Sequence, residues 1–192
     1  MNKLILATSS PRRIELFNKF NIEHTAINSN IVEKLHQSDT PIQYAMGLAF
    51  SKAYSVAKLY ESDIVIGSDT IVVHNNKILE KPNDEEDAIR MLKALSGNEH
   101  PVISGICIMN LSTNIKVVDY DITKVKFRSL SSSTIQKYVE TKEPLDKSGA
   151  YGIQGFGGLL VERIVGSYYN VIGLPLAKLD DLLIKHFNKS LV

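Results

Sequence analysis

The chain has 192 residues, 44% hydrophobic and 22% charged, enough to bury a sizeable core in one domain or a single two-lobed unit. A formal charge of +1 supplies no extended basic face, which counts against stable nucleic-acid binding and points to small partners. One cysteine, Cys107, excludes an intramolecular disulfide; no apolar run approaches the roughly 18 residues of a membrane span, and no leader pattern opens the chain, so a cytoplasmic protein without membrane contact is expected.

Leu4 to Ala7 reads as a short buried strand, and Ser10-Pro11 then offers an N-cap hydroxyl followed by proline at the first helical position. Ile14, Phe17 and Phe20, three apart, are the expected core side of that helix. A second helix starts at the capping box Thr40-Pro-Ile-Gln43 and runs to about Tyr60. Its stripe of Ile42, Ala45, Ala49, Val56 and Leu59 alternates spacings of three and four, and the missing member of the series is Lys52. Two β-rich runs, Asp63 to Gly67 and Ile71 to His74, flank Ser68-Asp69-Thr70, and Asn75-Asn76 makes a tight turn into Ile78-Leu79.

Asn83 to Glu86 caps a third helix with the face Ala88, Met91, Leu92 and Leu95, and Gly97 suits its left-handed stop. Pro101 to Met109 and Ile115 to Phe127 read as strands joined by a turn, and a helix capped around Ser133 to Gln136 ends near Pro144. The glycine-rich Gly149 to Gly158 segment leads to two expected strands, Leu159 to Val165 and Tyr168 to Ile172, and a closing amphipathic helix from Pro175 to about Phe187. The fold class is α/β: a mixed central sheet containing antiparallel hairpins, flanked by helices, with 1–192 as a single domain.

Several residues could carry chemistry. The strand-to-helix turn Thr8-Ser9-Ser10-Pro11-Arg12-Arg13 sets hydroxyls, backbone N–H groups and two guanidinium groups at a helix N-terminus, which suits phosphate. The plainer reading is a capped helix with two solvated arginines; but arginine in a first turn opposes the helix dipole unless an anion meets it. With no GK[ST] element and no glycines, the turn is neither a Walker loop nor a dinucleotide fingerprint. Lys52 occupies a core position, so its ammonium must snorkel, pair or meet a ligand anion. Asp69 breaks a strand-like run; it either shapes a loop with its own backbone or supplies a carboxylate for Mg²⁺ or for a water attacking phosphorus. Lys81 and Glu33 alone read as surface residues, and the five histidines show no zinc spacing.

Taken in order, these motifs resemble the Maf family of nucleoside triphosphate pyrophosphatases over essentially the whole chain. Leu4-Ile-Leu-Ala-Thr-Ser-Ser-Pro-Arg-Arg13 resembles its opening signature and Gly67-Ser-Asp-Thr-Ile-Val72 its aspartate motif, with Glu80-Lys-Pro82, Leu95-Ser-Gly97, His100 and Gly173-Leu-Pro175 following. The resemblance implies two lobes around an active-site cleft, and hydrolysis of a triphosphate to monophosphate and pyrophosphate with a divalent cation, Mg²⁺ or Mn²⁺. It implies Asp69 as the base that activates water, and Ser10, Arg13, Glu33, Lys52 and Lys81 as polar residues lining the cleft. The alternative role under that resemblance is that Asp69 and Glu33 share the metal, and a homodimer is compatible with it. Asp146-Lys-Ser-Gly-Ala-Tyr-Gly-Ile-Gln-Gly155 and Gly166-Ser-Tyr-Tyr-Asn-Val171 are similar to the subgroup acting on dTTP and UTP, whose specificity positions match Arg12, Thr70 and Gln154. A glutamine amide, donor and acceptor at once, complements the imide of uracil or thymine. Ser68, Gly47 and Asn98 depart from the family pattern, which has alanine, arginine and arginine there. The competing reading is a non-catalytic nucleotide-binding regulator linked to cell division, and retention of Asp69 beside Glu33, Lys52 and Lys81 favours the enzyme.

Overall fold

The computed structural model describes residues 2–32 and 39–192. A seven-stranded mixed sheet has the order β2 (Thr25–Ile27), β1 (Leu4–Ala7), β3 (Ile64–His74), β5 (Glu99–Asn110), β6 (Ile115–Phe127) and β7 (Val161–Val165), with β4 (Lys77–Leu79) paired to β3. β1 runs parallel to both β2 and β3, whereas β3–β4 and β6–β7 are antiparallel. The chain divides into two compact units, the first comprising residues 1–69, 104–121 and 173–192, the second residues 70–103 and 122–172.

In the first unit, the continuous apolar run of β1 is buried at every position, as expected of a strand with parallel neighbours on both sides. The following helix α1 (Pro11–Lys19) buries Arg13, Leu16 and Phe17, not the expected series: Ile14 is only partly buried and Phe20 is 44% exposed just past the helix end. Three-residue spacing drifts around a 3.6-residue helix, so the outer members of such a series rotate off the core face.

Helix α2 (Pro41–Ala57) opens with the complete capping box foreseen at Thr40 and Gln43. It presents Ala45, Ala49, Ala53 and Ala57, all buried, at four-residue spacing. Against this methyl stripe lie two strand glycines. A Cβ on Gly67 would meet the Ala49 carbonyl and stand 2.7 Å from the Ala53 nitrogen, and one on Gly105 would meet the Ala45 carbonyl and stand 2.7 Å from the Met46 nitrogen. Small residues on both surfaces thus let helix and sheet approach to backbone contact. Leu59, expected at the end of this stripe, lies beyond the helix and is 76% exposed. Ile5, Ala7, Val56, Val65, Cys107 and Met109 complete this core; Cys107 is a free, buried thiol, and burial pushes its pKa up to about 12. Helix α6 (Leu176–Phe187) closes the unit with Leu176, Leu179 and Leu183 buried.

Two expectations change in β3 and after β7. Asp69 interrupts no strand: Ile64 to His74 is one continuous strand, because ladder pairing outweighs the poor β propensity of one aspartate. Tyr168 to Ile172 forms a short helix, α5, rather than a strand. Gly166 at φ +126° turns the chain, the Ser167 hydroxyl accepts the Asn170 N–H, and the Asn170 amide is drawn into the interior to donate to the Val102 carbonyl and the Thr123 hydroxyl.

The second unit holds the foreseen Asn75-Asn76 hairpin, both asparagines in the left-handed region at φ 49° and 59°. Helix α3 (Glu85–Leu95) is capped by Asp84, and Gly97 at φ +69° follows its end. Helix α4 (Ser132–Glu140) is capped by Ser131. Three short 3₁₀ turns, Glu143–Asp146, Ser148–Ala150 and Phe156–Leu160, lead into and flank the turn of the glycine-rich segment. Ala88, Leu92, Leu95, Val125, Phe127, Tyr138, Tyr151 and Leu160 form the core of this unit.

Candidate active site

The close approach of α2 to the sheet positions the first pair. Gly67 and Asp69 are two apart on β3 and therefore share the face that meets α2, and Lys52 precedes Ala53 at the point of contact. The Lys52 ammonium donates to Asp69 Oδ1 at 2.6 Å, with the two side chains only 12% and 11% exposed. The lysine that broke the helical stripe and the aspartate that broke the strand pattern are thus each other's partners. Largely withdrawn from water, the pair interacts far more strongly than a surface ion pair.

Ser68, facing the opposite way, is 3% exposed; its hydroxyl lies 2.9 Å from the Gly105 carbonyl and 3.1 Å from that of Gly173. The Gly173 carbonyl also accepts from Arg13 Nε at 2.8 Å. Arg13 is therefore not a solvated arginine: it is 9% exposed, and a further nitrogen reaches the Thr8 hydroxyl at 3.5 Å. Thr8 Oγ1 in turn accepts the Ser10 N–H at 3.1 Å. Ser10 has the extended backbone of an N-cap, φ −70° and ψ 116°, but its hydroxyl makes no capping bond. Arg12, partly exposed, begins the same turn, at the end of α1 that carries the positive pole of the helix dipole.

The remaining candidates stand in the second unit or outside the described residues. Thr70 is partly buried in β3, Lys81 is exposed after β4, and Gln154 is exposed in the turn between two 3₁₀ segments. Glu33 lies outside the described residues. Among the described residues no group of three or more His, Cys, Asp or Glu side chains is gathered as a metal site.

Sequence reasoning missed a second polar network. Tyr138, on α4, donates to Glu143 Oε1 at 2.9 Å and accepts the Gly152 N–H at 3.2 Å. Burial, then the bond to Glu143, pushes the Tyr138 phenol well above its ordinary pKa. His100 lies 1% exposed, edge-on to Phe127 and Tyr151, with Nε2 2.9 Å from the Tyr151 hydroxyl and, among the described residues, no partner for Nδ1. Burial, assisted by the charge of His74, lowers its pKa to about 4.

A desolvated carboxylate–ammonium pair on a sheet, and a helix start bearing two arginines, equip an α/β protein for anionic, phosphate-bearing ligands. The family model described as Maf-like protein matches residues 3–186, and the chain belongs to that family. It is 50% identical over 188 residues to a dTTP/UTP pyrophosphatase of Clostridioides difficile, covering 98% of this chain and 97% of that one. A dTTP/UTP pyrophosphatase of Clostridium perfringens is 50% identical over 92% of this chain and 93% of its own, and one of Alkaliphilus metalliredigens 43% identical over the full length of both. Among solved structures, the Ham1 protein of Staphylococcus aureus is 14% identical over 66% of this chain and 72% of that one, with a TM-score of 0.46.

Proposed function

We propose that this protein hydrolyses nucleoside triphosphates, dTTP and UTP foremost, to the monophosphate and pyrophosphate. The observation that carries the reading is the Lys52–Asp69 pair, set into a chain whose relatives share about half its residues and bear that activity in their names. In this reading water attacks the α phosphorus, Asp69 accepts its proton, and the bond to the bridging oxygen breaks to release pyrophosphate. Lys52 holds the Asp69 carboxylate in place. Ser10, Arg12 and Arg13 bind the anionic chain at the α1 turn, and Thr70, Lys81 and Gln154 contact substrate, Gln154 through the base.

The Asp69 oxygens are hard ligands that fit a divalent cation, with Glu33 the proposed second carboxylate. A site with so few protein carboxylates suits Mg²⁺ or Mn²⁺, which takes its remaining oxygens from phosphate and water. Such an ion would neutralise charge developing on the phosphates. We place the 1–192 chain in the cytoplasm as a single functional unit, compatible with a homodimer and without stable nucleic-acid binding at a net charge of +1. Among the described residues no helix is long and apolar enough to cross a membrane.

The test is incubation with dTTP or UTP and Mg²⁺, with products resolved: monophosphate plus pyrophosphate is expected. Diphosphate plus free phosphate as primary products refutes the bond assignment, and nucleotide binding without turnover favours the regulator.

A further inference from the structure

Gln154 stands at the tip of a turn whose two arms are held by one set of hydrogen bonds. On the incoming arm the Gly152 N–H donates to the Tyr138 hydroxyl at 3.2 Å, and that hydroxyl donates to Glu143 Oε1. On the outgoing arm the Phe156 N–H donates to Glu143 Oε2 at 2.8 Å and the Gly157 N–H to Oε1 at 3.1 Å. The carboxylate thus receives three donors, two of them consecutive backbone amides, and the intervening residues Ile153, Gln154 and Gly155 are closed into a loop whose ends cannot separate without losing a charge-assisted bond.

The glycines of the segment belong to the same device. A Cβ on Gly155 would stand 2.6 Å from the Glu143 carboxyl carbon, and one on Gly157 would stand 2.6 Å from the Tyr138 hydroxyl. Side chains there would push the clamp groups off the backbone they hold. Glu143 is itself anchored: its N–H donates to the Thr141 hydroxyl at 3.2 Å and its carbonyl accepts the Lys147 ammonium at 2.6 Å. Local turn formation alone does not call for a carboxylate thirteen residues away from the amide it binds.

We infer that Glu143 and Tyr138 are positioning residues for base selection, a clamp that holds the turn carrying Gln154 in the geometry that reads the pyrimidine. This rests on the proposed role of Gln154 in the dTTP/UTP reading. A preset turn spares the ordering cost that a free glycine-rich loop would incur on binding, so the clamp acts on affinity for the matching base and leaves the phosphate chemistry alone.

The test compares wild type, Glu143→Gln and Tyr138→Phe, each with and without Gln154→Ala. Three readouts are kcat/KM for dTTP and UTP against dATP and dGTP, calorimetric binding of UMP against AMP, and hydrogen exchange at the Phe156 and Gly157 amides. Expected are faster exchange at both amides in Glu143→Gln, a roughly tenfold fall in pyrimidine preference residing mainly in KM, and no further fall when Gln154 is already alanine. Tyr138→Phe, which keeps the ring in the core, should move the same quantities less. An unchanged substrate ranking in a folded variant with quickened exchange overturns the inference, as does a loss that simply adds to that of Gln154→Ala. A wild type without turnover defeats the pyrophosphatase reading; the clamp then stands if UMP preference is present and lost in the variants, and falls if it is absent or unmoved.

Discussion

Two carboxylates show how differently one protein can use the same group. Asp69 sits mid-strand, 8% exposed, and is met by an ammonium. Glu143 sits in a 3₁₀ turn, partly buried, and is met by a phenol and two backbone amides. The first arrangement sets full charge against full charge and leaves a strong unbalanced charge if either partner is removed. The second spreads one charge over neutral dipoles and fixes backbone instead. Reactive chemistry suits the first, shape the second.

The largest effect expected from breaking this contrast is on turnover. Asp69→Asn keeps the volume but removes the charge, and kcat should fall by about 100-fold or more, as for loss of a general base. Near-normal turnover in the folded variant would remove Asp69 from the chemistry.

Stability sharpens the contrast next. Lys52→Met removes the ammonium that meets Asp69 and should cost about 3 kcal/mol in denaturant unfolding, the scale for breaking a buried pair. Lys52→Met combined with Asp69→Asn should recover much of that loss while remaining inactive, and a double variant as unstable as the sum of its parts would contradict the pairing.

A comparable amount is stored in His100. Its folded pKa, about 4, lies below the ordinary 6.5, so the unfolded chain binds the proton first as pH falls. The contribution is whole above pH 6.5 and is lost progressively down to about pH 4, on the order of 3 kcal/mol from the shift itself. Unfolding free energy should rise with pH across that window in wild type and flatten in His100→Gln; equal slopes would show that the ring is not held neutral.

The smallest effects concern glycines. Gly105→Ala drives a methyl into the α2 backbone, which cannot yield locally, and should destabilise by about 2 kcal/mol. Gly155→Ala meets instead the end of the Glu143 side chain, which can swing away, so its thermal cost should stay below about 1 kcal/mol while pyrimidine preference declines. A larger loss of Tm in Gly155→Ala than in Gly105→Ala would reverse this ordering.

Both halves of the Lys52–Asp69 pair were legible one at a time, because each violates a local rule: an ammonium in an apolar helical stripe, a carboxylate in a strand-like run. Glu143 violates none. An acidic residue before proline in a polar connector is ordinary, and its three donors are assembled from residues 138, 156 and 157. Arg13 lay between these cases, its position at a helix start conspicuous but its burial beneath Gly173 dependent on a contact 160 residues away.

Sequence alone determined the alternation of helix and strand, the Thr40 capping box, the asparagine hairpin and the mixed sheet class, since these follow from neighbouring residues and hydrophobic period. The continuity of β3 through Asp69, the helical Tyr168 to Ile172, the backbone contact of α2 with Gly67 and Gly105, and the Glu143 clamp were decided only by tertiary structure. Each depends on a partner distant in the chain, and packing or hydrogen bonding to such a partner outweighs a local preference of a few tenths of a kcal/mol.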